Sequence, residues 1–226
     1  MKKYLFLAIL FVFIVKVNYS QVSFSLDAAP QLSWMKSDKS VVESDGAKFG
    51  FKFGLNLDFF FNEGKNYAFC TGIKINNMAG ALKYNIADTL LLFYHDGALD
   101  SLPVGSVIDY KLQYLEIPLG LKFKTNEIGY ITYFAQIGIS PLINIGASGN
   151  GSHADMSFDK HKINEEVRLF GMGYHIGAGM EYSLGGETSF LAGFTYTNGF
   201  MDVTSNDQIK DKTILNSVSL NVGIKF

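Results

Sequence analysis

Nine ionisable side chains stand out in a chain with little charge to spare: Asp27, Lys52, Asp58, Lys74, Glu116, Lys122, His175, Glu181 and Lys225. Each falls on the polar side of an alternating segment. Charges withdrawn from water are tolerable only when paired. Four acids against four lysines allow complete pairing, with His175 as a hydrogen-bonded filler; a proton or ion path through the same residues is the competing chemistry. Ser152, His153, Asp155, Asp159 and His161 could supply a nucleophile with its base, but no Gly-x-Ser-x-Gly turn accompanies them. Gly171-Met-Gly-Tyr-His-Ile-Gly-Ala-Gly179 has the glycine density of a phosphate loop. Such a loop needs a strand before it and a helix after it, whereas here a period of two runs straight through. Cys70 is the single cysteine, which excludes an internal disulfide and a cysteine-rich zinc site and leaves it a packing role. The four His are scattered, and Asp202, Asp207 and Asp211 lack the spacing of a calcium loop. These residues point to no enzyme, no catalytic residue, no cofactor and no metal.

The elements that must position these groups are strands. Across 48–61, Phe49, Phe51, Phe53, Leu55, Leu57, Phe59 and Phe61 share one face. Lys48, Gly50, Lys52, Gly54, Asn56 and Asp58 share the other, with Phe60 as the exception; no helix gives that pattern. Eight segments read this way: 22–34, 47–61, 67–78, 110–124, 130–147, 167–184, 188–199 and 213–226. Long polar connections (35–46, 79–109, 148–166, 200–212) alternate with tight turns (62–66, 125–129, 185–187). That asymmetry predicts an all-β, eight-stranded, antiparallel up-and-down transmembrane barrel, since a soluble sandwich has no reason to gather its long loops at one end.

Outward rings gather at strand ends, Phe59, Phe61, Tyr67, Phe69, Phe123, Tyr133, Tyr182, Phe190 and Phe226 beside the short turns and Trp34, Phe49, Phe170 and Tyr196 beside the long loops. Two aromatic girdles follow. Twelve of the 23 glycines, Gly50, Gly54, Gly120, Gly138 and Gly146 among them, fall on the inward face, where a narrow polar lumen needs room. Pro30, Pro118 and Pro141 lie inside strands and predict breaks or bulges. Tyr110 and Leu112 share parity with Glu116 and not with Leu115, so 110–124 reads as changing phase, its first residues rising above the bilayer.

Residues 1–20 read as a secretory signal peptide, Lys2 and Lys3 preceding the apolar run Tyr4 to Val15, which is too short to span a bilayer as a helix. Residues 21–226 then form the barrel domain. Removing Lys2, Lys3 and Lys16 from 19 basic groups leaves 16 against 21 acids, a net of −5, which excludes nucleic acid as a natural partner. The long connections hold 14 acids and 7 lysines. Within the longest, Thr89 to Tyr94 is apolar; it reads as a hairpin above the membrane, with the alternative that Leu90, Leu91, Leu92 and Phe93 form a patch where an envelope protein docks.

The leader ending at Gln21, the stretch Tyr114-Leu-Glu-Ile-Pro-Leu-Gly-Leu-Lys122 and the terminal Phe226 together resemble the PorT-like outer-membrane β-barrel family of Bacteroidetes. The resemblance covers the mature chain. It implies an eight-stranded barrel exported to the outer membrane, with outer-membrane lipid around it and Phe226 in the signal read by the assembly machinery. One namesake is tied to protein secretion across that membrane. The expectation is a monomeric barrel with a structural or surface-interaction role displaying four loops, with an accessory role in secretion as the alternative; a lipid-modifying enzyme and a narrow pore rank below both.

Overall fold

A computed structural model describes residues 22–85, 91–95, 98–153, 156–205 and 211–226. The leader, Leu90, Asp155 and Asp207 lie outside them. Twelve strands follow in chain order: β1 (Val22–Ser37), β2 (Val42–Phe60), β3 (Tyr67–Tyr84), β4 (Leu91–His95), β5 (Ala98–Leu102), β6 (Ser106–Glu116), β7 (Leu119–Lys124), β8 (Ile131–His153), β9 (Met156–Lys162), β10 (Phe170–Gly185), β11 (Thr188–Gly199) and β12 (Thr213–Lys225). No helix among the described residues is long and apolar enough to cross a membrane; the spanning elements are strands.

The sheet closes on itself. Each strand pairs antiparallel with the next around the ring, and β12 returns to β1 from Ser25 opposite Lys225 to Ser37 opposite Thr213. Phe24 and Phe226 exchange backbone hydrogen bonds of 3.2 and 2.8 Å at the seam. β6 and β7 are one stave interrupted at Ile117 and Pro118: both keep the same register against β3 and against β8, so the ring has eight staves.

The prolines fall at gaps in the ladders. The carbonyl of Pro141 accepts from the Ile117 N–H at 3.0 Å, so the missing Pro141 N–H also faces the interrupted stave, and two prolines share one break. At Pro30 the β1–β12 ladder passes from Ala28 opposite Val222 to Gln31 opposite Ser219. Concentrating lost donors at few rungs keeps the rest of a closed ring bonded. At the β10–β11 turn, Gly185 (φ 109°) and Gly186 (φ 62°) supply the left-handed conformation a tight hairpin needs.

On the outer wall Phe49, Phe51, Phe53 and Leu55 of β2 are exposed, as are Ile73, Ile137, Ile176, Phe194, Leu220 and Ile224 on other staves. From Phe49 to Phe59 the belt rises about 25 Å at ~3.3 Å per residue and ~40° of tilt, the height of a membrane barrel's apolar band. Rings meet at its lower edge, Phe24 on Phe226 at 5.2 Å and Tyr130 near Tyr182 at 6.2 Å. At the upper edge Trp34 stacks on Tyr196 at 6.5 Å.

Above this belt the strands continue, which corrects two sequence expectations. The connection expected over 35–46 shrinks to the turn at 38–41, and β3, β6 and β8 run on to Tyr84, from Ser106 and to His153. The segment 110–124 does not change phase. Tyr110, Leu112, Tyr114 and Glu116 all point inward and are buried. The faces stay the same while the medium outside changes: beside the belt the outside is apolar and the inside polar, whereas above it Lys83, Asp109, Lys111 and Gln113 point out and apolar groups point in. Met35, Leu82, Tyr84, Ile108, Tyr110 and Leu112 belong to an apolar cluster that fills this upper storey. Burial pushes the Tyr84 and Tyr110 phenols up, so both stay neutral and share a hydrogen bond of 2.7 Å.

A clasp ties the upper storey together. Asp202 Oδ1 accepts from the Thr213 N–H at 2.9 Å, and Oδ2 from Arg168 Nε at 3.2 Å. This joins the connection before β10 to the one before β12. Asp202→Ala is expected to cost about 1–2 kcal/mol locally, read as faster tryptic cleavage after Arg168 with heat-modifiable mobility unchanged.

Candidate functional site: the filled lumen

The alternation aims every second side chain of each stave into a ring too narrow to stay hollow. Nearest the short turns, Glu181 Oε2 receives Lys124 Nζ at 2.6 Å and Lys225 Nζ at 2.7 Å, and both ammonium groups lie over the Phe60 ring at 5.4 and 5.6 Å. Further in, Lys122 Nζ meets Asp58 Oδ2 at 2.6 Å and lies 5.1 Å from the centre of Phe134. Lys74 meets Asp27 Oδ2 at 2.8 Å, and Asn56 donates to the other oxygen at 2.8 Å. Glu116 takes Asn76 Nδ2 at 2.7 Å, Ser140 Oγ at 2.8 Å and the Lys52 ammonium at 3.7 Å. Gln31 donates to Asn76 Oδ1 at 2.7 Å, extending the network toward β1.

The nine residues singled out in the sequence, Asp27, Lys52, Asp58, Lys74, Glu116, Lys122, His175, Glu181 and Lys225, are all buried in this lumen. Lys124 joins them as a fifth lysine; it shares the parity of Gly120 and Lys122, so the signal for it lay in the alternation. Asn56, Asn76 and Ser140 had no signal beyond their parity. Phe60, the exception in its run, points inward as a ring for two lysines. Gly146 is a correction: a bulge between Gln113 and Tyr114 of β6 leaves Ile145 as the extra residue of β8, and Gly146 then pairs with outward-facing Gln113.

Among the described residues no group of three or more His, Cys, Asp or Glu side chains is placed to hold a metal. Ser140, His175 and Glu116 are of the types that form nucleophilic triads, but their connection is the wrong one. The Ser140 hydroxyl donates to Glu116, so the 3.0 Å contact to His175 Nδ1 makes the imidazole the donor and the serine the acceptor. A nucleophilic serine gives its proton to the histidine. Ser140 has no exposed surface. His175 fills space left by two glycines: a Cβ on Gly138 would lie 2.9 Å from its Cε1, and one on Gly120 3.2 Å from its Nε2. A cavity among Asp27, Asp58, Cys70, Lys74, Glu116 and His175 has a volume of about 50 Å³, room for a few waters. Cys70 is buried here as a free thiol.

The other sequence candidates lie elsewhere. Gly171 to Gly179 runs within β10, paired on both sides with β8 and β11, so no phosphate loop forms. Ser152 and His153 end β8, Asp159 and His161 belong to β9, and Asp155 is outside the described residues. Leu91, Leu92 and Phe93 lie in β4, which pairs with β5 as a separate hairpin.

Residues 10–205 match the family model described as "Outer membrane protein beta-barrel domain". The chain is similar in structure to Neisserial surface protein A (13% identity, TM-score 0.48, covering 92% of this chain and 98% of that one). It is also similar to Ail, the attachment invasion locus protein of Yersinia pestis (15%, 0.40, 91% and 97%), and to the outer membrane protein OprG of Pseudomonas aeruginosa (13%, 0.44, 93% and 98%). No curated protein matches the sequence. With 196 of its residues under that family model and eight staves closed into a ring, the chain belongs to the outer membrane protein beta-barrel domain family and is a barrel of the bacterial outer membrane.

Proposed function

We propose that the protein is a non-conducting display barrel: a filled anchor in the membrane whose strands carry a raised platform beyond the cell's outer leaflet, for contact with another macromolecule. The observation that carries this reading is the two-storey interior. Paired charges fill the ring at membrane depth, an apolar cluster fills it above, and the strands at the long-connection end outrun the belt. Filling supplies rigidity at the cost of any pathway, which suits a scaffold for what the platform presents. The leader at 1–20 supports export, and the chain acts as a monomer with Phe226 serving its assembly.

The orientation is tested by labelling. Lys39→Cys, in the 38–41 turn, reacts with a membrane-impermeant maleimide on intact cells, while Lys65→Cys, in the opposite turn, reacts only after permeabilisation; buried Cys70 gives the blank. The reverse pattern refutes outward display.

The PorT-like stretch Tyr114 to Lys122 supports an accessory role in protein secretion as the second reading, with the β4–β5 hairpin and its Leu91 to Phe93 segment as the contact for an envelope complex. Replacing Leu91 to Phe93 with polar residues separates the two readings. Loss of secretion with the barrel still inserted favours the second, and unchanged secretion favours the first.

A further inference from the structure

One rung of the lumen wall runs through five staves. Asp58 of β2 pairs with Cys70 of β3, Cys70 with Gly120 of β7, Gly120 with Gly138 of β8, and Gly138 with His175 of β10. Three of these residues bear electron-pair donors, and the two glycines between them bear no side chain at all. The imidazole lies over Gly138, and its Nε2 reaches the space over Gly120. Cys70 Sγ borders the same space: a Cβ on Gly120 would stand 3.2 Å from each of the two atoms. Two missing side chains thus bring a thiol and an imidazole from separate staves to one point.

The donor atoms at this point are left over by the rest of the network. His175 is 4% exposed, and its Nδ1–H is committed to Ser140, whose hydroxyl Glu116 holds. Nε2 is therefore the bare lone pair, and no described residue bonds to it. Cys70 is a buried free thiol, and Asp58 Oδ1, on its partner across the rung, is buried without a hydrogen-bond partner. The surplus is one of electron pairs, which a cation satisfies. The chain from Nδ1–H through Ser140 to Glu116 also has the form of the outer partners that fix the tautomer of a metal-binding histidine.

We infer that Cys70 Sγ and His175 Nε2 bind one soft monovalent cation of the Cu(I) class in the space left by Gly120. Thiolate sulfur and imidazole nitrogen select soft ions. Two donors suffice for a linear monovalent site, whereas zinc takes four, so the site exists although no three metal-binding side chains converge among the described residues. Charge gives the same answer. On binding, the S–H bond breaks, the S–metal bond forms and the proton leaves to the buffer; one positive charge replaces another and no electron is transferred. The lumen already sets five lysines against four acids, so a divalent ion would add a charge that no further acid offsets. The cavity beside these residues, about 50 Å³, has room for one ion. The assignment rests on the filled lumen and not on the display reading.

The test uses silver(I), a redox-inert stand-in for Cu(I), with the full mature chain in detergent micelles and chloride-free buffer. Silver is supplied both to the folded barrel and during folding from urea; excess free methionine then strips weakly held ions, and native mass spectrometry reads what remains. The wild type is expected to keep a single silver, its mass rising by one silver less one proton, and Cys70→Ser to keep none. His175→Leu lowers retention roughly tenfold or more, since losing even an orienting partner of a metal ligand costs about that much. His175→Met, of similar volume but with a thioether donor, restores it. Zinc offered in place of silver is not retained. Heat-modifiable mobility confirms that each variant is folded. Absence of silver from the wild type by both routes overturns the site, equal retention by His175→Leu overturns the pairing of thiol with imidazole, and retention of zinc by the wild type overturns the assignment to a soft monovalent ion.

Discussion

Glu116→Ala lowers the barrel's unfolding free energy by about 3–5 kcal/mol, the cost of leaving a buried charge without its partner. Glu116 is 3% exposed and holds Lys52, Asn76 and Ser140 at once. Removing it strands an ammonium group at membrane depth, beside a cavity with room for only a few waters and with the neighbouring acids Asp27 and Asp58 already paired. The contrast is the paired replacement Lys52→Met with Glu116→Leu, which removes both charges at similar volume and recovers most of the loss, since a buried pair contributes far less than either member left alone costs. The single tryptophan, Trp34, sits at the upper edge of the belt, so its fluorescence in lipid vesicles under increasing urea reports both variants. A loss under about 1 kcal/mol for Glu116→Ala, the scale of an exposed pair, shows that the lumen is wet and the network loose.

Leu55→Arg lowers stability in vesicles by about 2–4 kcal/mol, the cost of a cation on the lipid face near the bilayer midplane. Leu55 lies midway along the belt between Phe49 and Phe61, is 39% exposed and pairs with Leu26 and Ile73, both exposed as well. On a soluble barrel the same change puts an arginine into water and costs nothing. Tested against it, Glu43→Arg on the same strand above the belt, where the side chain is already solvated, is expected to stay within about 0.5 kcal/mol. Equal effects at the two positions contradict a lipid boundary between them.

Much of this was legible because a barrel wall two media thick in contrast writes its chemistry in alternate letters. Phe49, Lys52, Phe53 and Asp58 have their faces fixed by parity alone, and the same parity carried Lys122, Glu181 and Lys225 into one lumen. It misled where the outside medium changed. Tyr110 and Leu112 look displaced relative to Leu115 only if apolar must mean outward; above the belt water lies outside, and the apolar side goes in. The strands' true length was hidden for the same reason, since 79–84 and 106–109 look polar when judged as membrane strands. Which lysine meets which acid depends on register across staves, as with Glu181 gathering Lys124 and Lys225 from two different strands. Local sequence does not carry that. The Gly146 misassignment has one cause, a single extra residue at Ile145 that flips every face beyond it.

The account turns on a lumen without a pathway, and single-channel recording in planar bilayers addresses it directly. With a 50 Å³ cavity, locked ion pairs and an apolar cluster in series, an ion would have to break a pair and then cross a dry layer. The folded wild-type barrel is expected to give no current steps above the detergent control at either polarity. Stable, ohmic steps that scale with the amount of inserted barrel would contradict a filled lumen and return the protein to the pores.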